Sequence, residues 1–270
     1  MCVAIAGGAL RGASAFGAGS IACHTRNRAA PRVFFFHGME VFWTPRAKDN
    51  KSLVKLLREE GAVKSDRVAC VMEKLDRALF IAEGERNLAY MDCPMQIGFN
   101  ATISAPHMHG SCLELLNKHL QPGMHALDVG SGTGYLTAAF ALLVGDQGRA
   151  VGVEHIPELV EQSIKNVKRS PAASLLEPGV LSLHVGDGRL GWPEHAPYNA
   201  IHVGAAAPQV PQPLIDQLKP GGRMVIPVGE GAQELVVIDK GPDGSLKQWT
   251  ASSVRYVPLT SKDEQLRGGV

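Results

Sequence analysis

Acidic side chains are missing from the start of this chain. The first is Glu40, whereas Arg11, Arg26, Arg28 and Arg32 already lie among Ala, Gly and Ser. A secretory signal is excluded there, because no Lys or Arg precedes Arg11 and so no basic segment leads an apolar core. The apolar runs also fall short of the roughly 20 residues of a membrane span, and no membrane partner is expected. Cysteine is sparse: Cys2, Cys23, Cys70, Cys93 and Cys112 are an odd, scattered set without a Cys-x-x-Cys pair. They read as reduced thiols in an intracellular protein, with neither a disulfide framework nor a metal site. Excess charge is lacking too. The formal net charge of +1 gives no field that would favour nucleic acid as a partner. The acid-poor residues 1–39 have the composition of an organelle transit peptide, and equally of an extension with no address function. Poor order is expected there, with a single domain over residues 40–270.

What is present is most informative at Ala126-Leu127-Asp128-Val129-Gly130-Ser131-Gly132-Thr133-Gly134-Tyr135. It reads as a buried strand, a glycine turn and the start of a helix, with bare backbone at Gly130, Gly132 and Gly134 for a ligand to lie against. Glu154 ends the next apolar run, where a doubly wound sheet places a carboxylate for ribose hydroxyls. A third run, Val180 to Arg189, ends in the acidic turn Asp187-Gly188, suited to an adenine amino group. The dinucleotide fingerprint is Gly-x-Gly-x-x-Gly, with a helix N-terminus facing a pyrophosphate. Here the spacing is Gly-x-Gly-x-Gly behind an Asp, with no basic residue in the loop. That pattern disfavours a pyrophosphate and suits a ligand carrying an ammonium and a sulfonium, so the expected cofactor is S-adenosylmethionine.

Strand and helix signals alternate from Ala126 onward, the mark of a mainly parallel sheet covered on both faces. Ahead of it, Ser52 to Glu60 has helical spacing with Gly61 as a stop, and Ser65-Asp66 caps a second helix running to Asp76-Arg77. Tyr90 to His109 follows neither period and reads as a loop feeding a helix over Gly110 to Leu120. Leu214 to Leu218 reads as helix, Lys219-Pro-Gly-Gly222 as a turn and Arg223 to Gly229 as the fifth strand. Two further strands flank the turn Gly241-Pro-Asp243-Gly244.

Four stretches together carry a family resemblance. They are Ile97-Gly98-Phe99-Asn100-Ala101-Thr102-Ile103-Ser104-Ala105-Pro106-His107-Met108-His109 with the glycine loop, Val185 to Arg189, Ala196 to Pro208, and Val254-Arg255-Tyr256-Val-Pro-Leu-Thr260. Over about Phe42 to Gly268 the chain closely resembles the protein-L-isoaspartate (D-aspartate) O-methyltransferases, and Gly-Val-Glu154-His-Ile-Pro-Glu-Leu looks like the plant branch. The resemblance implies a doubly wound α/β sheet of the class I S-adenosylmethionine-dependent methyltransferase type, with N-terminal helices and a C-terminal strand extension. It implies methylation of the free carboxylate of L-isoaspartyl residues in damaged proteins, with S-adenosylhomocysteine as the second product. The ester then closes to a succinimide that reopens partly to normal aspartate. The resemblance also implies a cytoplasmic protein, while the extension leaves chloroplast, another organelle or the nucleus open. A monomer is expected.

The chemistry fits such residues. A carboxylate is already ionised at neutral pH, so catalysis rests mainly on holding oxygen, carbon and sulfur in line. The resemblance implies Ser104 at the reacting centre. It implies cofactor contacts from Thr102, Ile103, Ser104, His109, Asp128, Gly130, Gly132, Glu154, Asp187, Gly188, Thr260 and Gln265. Substrate contacts are expected from Ile97, Gly98, Phe99, Val254, Arg255 and Tyr256, with Asp92 bringing a further carboxyl group. Each has a structural rival. Ser104 before Ala-Pro also fits a helix cap, and Arg255 a solvated strand position. His107-Met-His109 resembles a metal pair but lacks a third ligand at sensible spacing. His202 on an apolar strand reads as a partnered core histidine, and Gly204 to Ala207 as close packing or a small-residue wall. A methyltransferase with another acceptor, or a cofactor-binding scaffold without turnover, stays open on the residues alone.

Overall fold

The computed structural model describes residues 33–36, 39–42 and 47–268. The chain divides into two units, Met1–Pro45 and Arg46–Val270. In the first, strands β1 (Val33–Phe36) and β2 (Met39–Phe42) pair antiparallel. The possible transit segment otherwise lies outside the described residues.

The second unit opens with two amphipathic helices whose starts are set by side-chain caps. Asp49 caps α1 (Asn50–Glu59) in a reciprocal capping box with Ser52, and Ser65 caps α2 (Asp66–Lys74). The expected loop from Tyr90 contains a hairpin instead, β3 (Met95–Gly98) with β4 (Ala101–Ile103). Its two-residue turn has positive φ at Phe99 (53°) and Asn100 (56°), the type I′ geometry that matches strand twist. A register shift between Gln96 and Gly98 breaks the alternation that would have announced it. Helix α3 (Pro106–Leu116) starts four residues earlier than expected, with Pro106 in the first turn, where no backbone N–H is needed.

The sheet holds β5 (His125–Val129), β6 (Arg149–Glu154), β7 (Leu181–Val185), β8 (Tyr198–Val203), β9 (Leu218–Val228), β10 (Gln233–Lys240) and β11 (Leu246–Val254). Their spatial order is β11-β10-β9-β8-β5-β6-β7. The five from β5 to β9 are parallel, and β10 and β11 continue antiparallel. Helices α4 (Tyr135–Val144), α5 (Pro157–Lys168), α6 (Gln212–Gln217) and the terminal α7 (Lys262–Leu266) complete the unit. The turn expected at Lys219–Gly222 survives as an excursion inside β9. Opposite Tyr198 and Ala200, the pairing jumps from Leu218 to Arg223.

The two faces of the sheet are packed differently. Leu127, Val129, Val151, Val153, Ile201 and Val203 meet α6 in one core, while Ala126, Ala150 and Ala200 face the larger core with α1 to α4. Small residues on that face let α4 sit close. A Cβ added at Gly152 would lie 2.8 Å from Thr137 Oγ1 and 2.6 Å from Leu183. Apart from Leu142, every residue of α4 is buried, because α2 and α5 cover its outer side. Among the described residues, no helix is long and apolar enough to cross a membrane.

The strand order reverses between β6 and β8 on the two sides of β5, and ligands of open α/β sheets bind at the carboxyl ends beside such a point. The junction there is tight. Gly134, with φ of 81°, begins α4, and a Cβ on it would lie 3.1 Å from Ser163 Cβ. Gly134→Ala is expected to lose about 1–2 kcal/mol, the cost of a left-handed non-glycine residue. A urea unfolding midpoint equal to that of the wild type would contradict this.

Candidate active site

The turn after β5 is built from backbone. Gly130 N and Ser131 N donate to Val153 O at 2.8 and 3.1 Å, and Gly204 N donates to Val129 O at 2.7 Å. A Cβ on Gly204 would lie 3.1 Å from Gly130 O, and one on Gly188 would lie 2.5 Å from Val129 Cγ1. The ends of β5 and β8 therefore meet backbone to backbone, and the loop after β7 packs its Gly188 against the Val129 side chain. They leave a cleft whose walls include Thr102, Gly130, Gly132, Glu154, Gly188, Gly204, Thr260 and Gln265.

Glu154 ends β6 and is buried with its carboxylate held in place. Gly132 N donates to Oε2 at 3.2 Å and Ile156 N donates to Oε1 at 3.1 Å. Across the cleft, Gln265 clasps two distant segments. Its amide donates to Phe99 O at 2.8 Å, and its Oε1 lies 2.8 Å from His155 Nε2. Asn100 Nδ2 in turn donates to Gln265 O at 2.8 Å. The helical turn of α7 thus holds the hairpin tip in its left-handed conformation, which a phenylalanine avoids by itself.

A deeper recess opens behind the glycine turn, lined by Thr102, Ile103, Ser104, His109, Asp128, Tyr135 and His202. Asp128 does not reach freely into the cleft. Thr137 Oγ1 donates to its Oδ2 at 2.6 Å, and His202 Nδ1 sits 2.9 Å from its Oδ1. All three residues are buried. Burial works against a charged His202 ring, but hydrogen bonds with Asp128 and Cys112 outweigh it and hold the pKa up at about 10. The pair is an ion pair locking β5 to β8 under the site. Burial first, then Cys112, raise the pKa of the Tyr256 hydroxyl well above the usual range, while the Ser104 side chain works against that rise.

Several expected residues stand elsewhere. The Asp187 carboxylate is gripped by Arg189, whose Nε and Nη2 donate at 2.9 and 2.7 Å, and that hydrogen bonding lowers its pKa. Only the following Gly188 lines the cleft. Asp92 accepts from the His107 backbone at 2.9 Å and lies 2.8 Å from its ring, anchoring the first turn of α3. The hydrogen bond to Asp92 raises the pKa of His107. His107 and His109 therefore turn apart, because His109 faces Arg77. Ile97 lines the cleft itself, whereas Gly98, Phe99, Val254, Arg255 and Tyr256 stand outside its lining. Gln233 pins the Tyr256 backbone with bonds of 2.6 and 3.1 Å, and Arg255 is exposed. Sequence reading missed His155, Tyr135 and Arg77 as site neighbours. A polar residue next to the Glu154 strand end was the available signal for His155. Nothing local marks Arg77, which arrives from a separate helical turn.

The walls of the cleft fit S-adenosylmethionine. Among the described residues they offer a fixed carboxylate, bare glycine backbone and no Lys or Arg side chain, so a pyrophosphate would find no counter-charge there. A cationic, nucleoside-bearing ligand suits them. With the switch-point sheet, this is the site of a class I S-adenosylmethionine-dependent methyltransferase.

Comparison with known proteins narrows the class. The family described as protein-L-isoaspartate(D-aspartate) O-methyltransferase matches residues 48–264. A protein-L-isoaspartate O-methyltransferase of Triticum aestivum is 63% identical over 230 residues, covering 85% of this chain and 99% of the relative. One from Arabidopsis thaliana is 61% identical over 231 residues, covering 85% and 100%. A solved Plasmodium falciparum beta-aspartate methyltransferase, in complex with S-adenosyl-L-homocysteine, superposes with a TM-score of 0.73 at 33% identity. It covers 79% of this chain and 99% of that one. This chain belongs to the protein-L-isoaspartate(D-aspartate) O-methyltransferase family, and its similarity to the plant members is high.

The Asp128–His202 pair yields a pH-dependent expectation. A histidine whose folded pKa is raised stabilises the fold fully below its unfolded value of about 6.5, and that contribution is lost as pH rises through about 10. Asp128→Asn should therefore be destabilised most at pH 6 and converge on the wild type above pH 10. Unfolding midpoints that differ by a constant amount across that range would refute the assignment.

Proposed function

We infer that this chain transfers a methyl group from S-adenosylmethionine to the free carboxylate of L-isoaspartyl residues in damaged proteins, the step that starts repair through a succinimide. The observation that carries this is the recess behind the glycine turn, which Ser104 lines and which shares Thr102, Gly130, Gly132 and Gly204 with the cofactor cleft. Bound S-adenosylmethionine supplies a methyl on a sulfonium, whose leaving group needs no proton. The protein therefore needs no strong base, and its work is alignment.

Ser104 orients the acceptor carboxylate. Thr102, Ile103 and His109 hold the amino-acid end of the cofactor, and Gly130 and Gly132 let it approach the backbone. Glu154, its oxygens aimed by Gly132 and Ile156, receives the ribose hydroxyls. Gly188 and the backbone beside Asp187 receive the adenine, and Thr260 and Gln265 close the cleft. Asp128 acts through His202 and Thr137, from below. Ile97, Gly98 and Phe99 on one side and Val254, Arg255 and Tyr256 on the other frame the substrate backbone. Asp92 shapes the start of α3 beside them.

The substrates are isoaspartyl proteins and peptides, recognised mainly through the kinked linkage. The balanced charge argues against nucleic acid as a partner, and the enzyme is proposed to act as a monomer. Residues 40–270 form its catalytic domain, and residues 1–39 precede it as an extension. The cytoplasm is the proposed compartment; import into a chloroplast, by way of the extension, is the alternative.

Two peptides differing only in L-isoaspartate or normal L-aspartate test the reading. Base-labile methyl ester is expected on the first alone. Ester on neither, with S-adenosylhomocysteine still bound, would mean that the Ser104 recess serves another acceptor. Ser104→Ala should lower kcat by about 100-fold, the scale of lost alignment, while S-adenosylhomocysteine affinity changes less than about threefold. An unchanged kcat would remove Ser104 from the reacting centre.

A further inference from the structure

Arg77 is the largest buried charged side chain among the described residues, 1% exposed, and stands behind the cofactor recess. Its backbone N–H donates to Asn50 Oδ1 at 3.3 Å, and its Nη2 donates to Cys93 O at 3.4 Å. Its Nη1 lies 3.5 Å from Nδ1 of His109. Burial lowers the Arg77 pKa to about 10, which leaves it a cation at neutral pH. A guanidinium has no acceptor, so in this contact it can only donate, and Nδ1 of His109 must carry the lone pair.

The His109 ring cannot easily evade that demand. It stacks on Tyr135 with centroids 4.8 Å apart and planes 23° apart, and Tyr135 is itself wedged edge-on against Phe80 at 5.2 Å. A flip of the ring would present carbon to Nη1 and leave a buried donor unpartnered. Burial, then the charges of Arg77, His202 and His107, push the His109 pKa well below the ordinary histidine value. The ring is neutral, with one proton to place. His109 also lines the recess together with Thr102, Ser104 and Thr133.

We propose that Arg77 is a positioning residue for the cofactor: by occupying Nδ1 of His109 it confines the ring proton to Nε2, which then donates to the cofactor's carboxylate. The other tautomer would turn a lone pair toward an anion. The idea rests on the methyltransferase reading, and it gives a buried arginine outside the cleft lining a defined effect on binding.

The tautomer can be read on the ligand-free full chain labelled with 15N-histidine, using long-range proton–nitrogen correlation at pH 7, with His109→Gln to assign the signal. A single Nε2-protonated His109 is expected. Arg77→Met, which keeps length without a donor, should give mixed tautomers and weaken S-adenosylhomocysteine about tenfold, the scale of one charge-assisted hydrogen bond. Arg77→Lys should restore both. His109→Gln places an amide where Nε2 stands and should bind better than His109→Asn, whatever the stability of the Arg77 variants. An Nδ1-protonated His109 in the wild type would overturn the proposal. So would Arg77→Met with an unchanged tautomer and affinity, or His109→Asn binding as well as His109→Gln. Methyl transfer to the isoaspartyl peptide is scored separately. Its absence defeats the functional reading, whereas intact transfer with the wrong tautomer defeats only the role of Arg77.

Discussion

The close backbone approach between the end of β5 and the end of β8 governs the site. Gly204 N donates to Val129 O, and a Cβ on Gly204 would crowd Gly130 O at 3.1 Å. Because the strands meet there without side chains, the cleft floor is made of amides and carbonyls, held by the sheet ladder. Atoms fixed by a ladder lose little freedom when a ligand arrives, which is what an alignment-driven reaction needs. Directly below, Asp128, Thr137 and His202 tie β5, α4 and β8 into one body.

Charge is arranged around that floor in two layers. Glu154 faces the cleft, where a cationic ligand balances it. Asp128 is matched internally by His202, so the lower layer presents no net carboxylate. Arg77 supplies positive potential from behind His109. An unpaired buried charge is costly, and Asp128 and His202 answer one another.

The closure of the cleft depends on segments far apart in the chain. Gln265 reaches Phe99 and His155, so the last helical turn, the hairpin and the end of β6 are joined by one side chain. The strained turn at Phe99 and Asn100 persists because those contacts define it.

Much of this was legible in the sequence, because it depends on short-range rules. Glycines at 130, 132 and 134 announce a turn with positive φ, alternating strand and helix signals announce a parallel sheet, and Ser65 announces a helix start. The hairpin within Tyr90–His109 was not legible, since its register shift and left-handed turn are imposed by α7. The partners of Asp128 and Asp187 were hidden for a related reason. A carboxylate at a strand end looks the same in sequence whether it faces a ligand, His202 or Arg189. The sequence by itself determined the sheet, the glycine floor, the family and the positions that can bear chemistry. Only the tertiary structure decided which of those side chains face the cleft and which are consumed by one another. Local propensity acts over a few residues, whereas pairing of buried charges is settled by where the finished fold brings them.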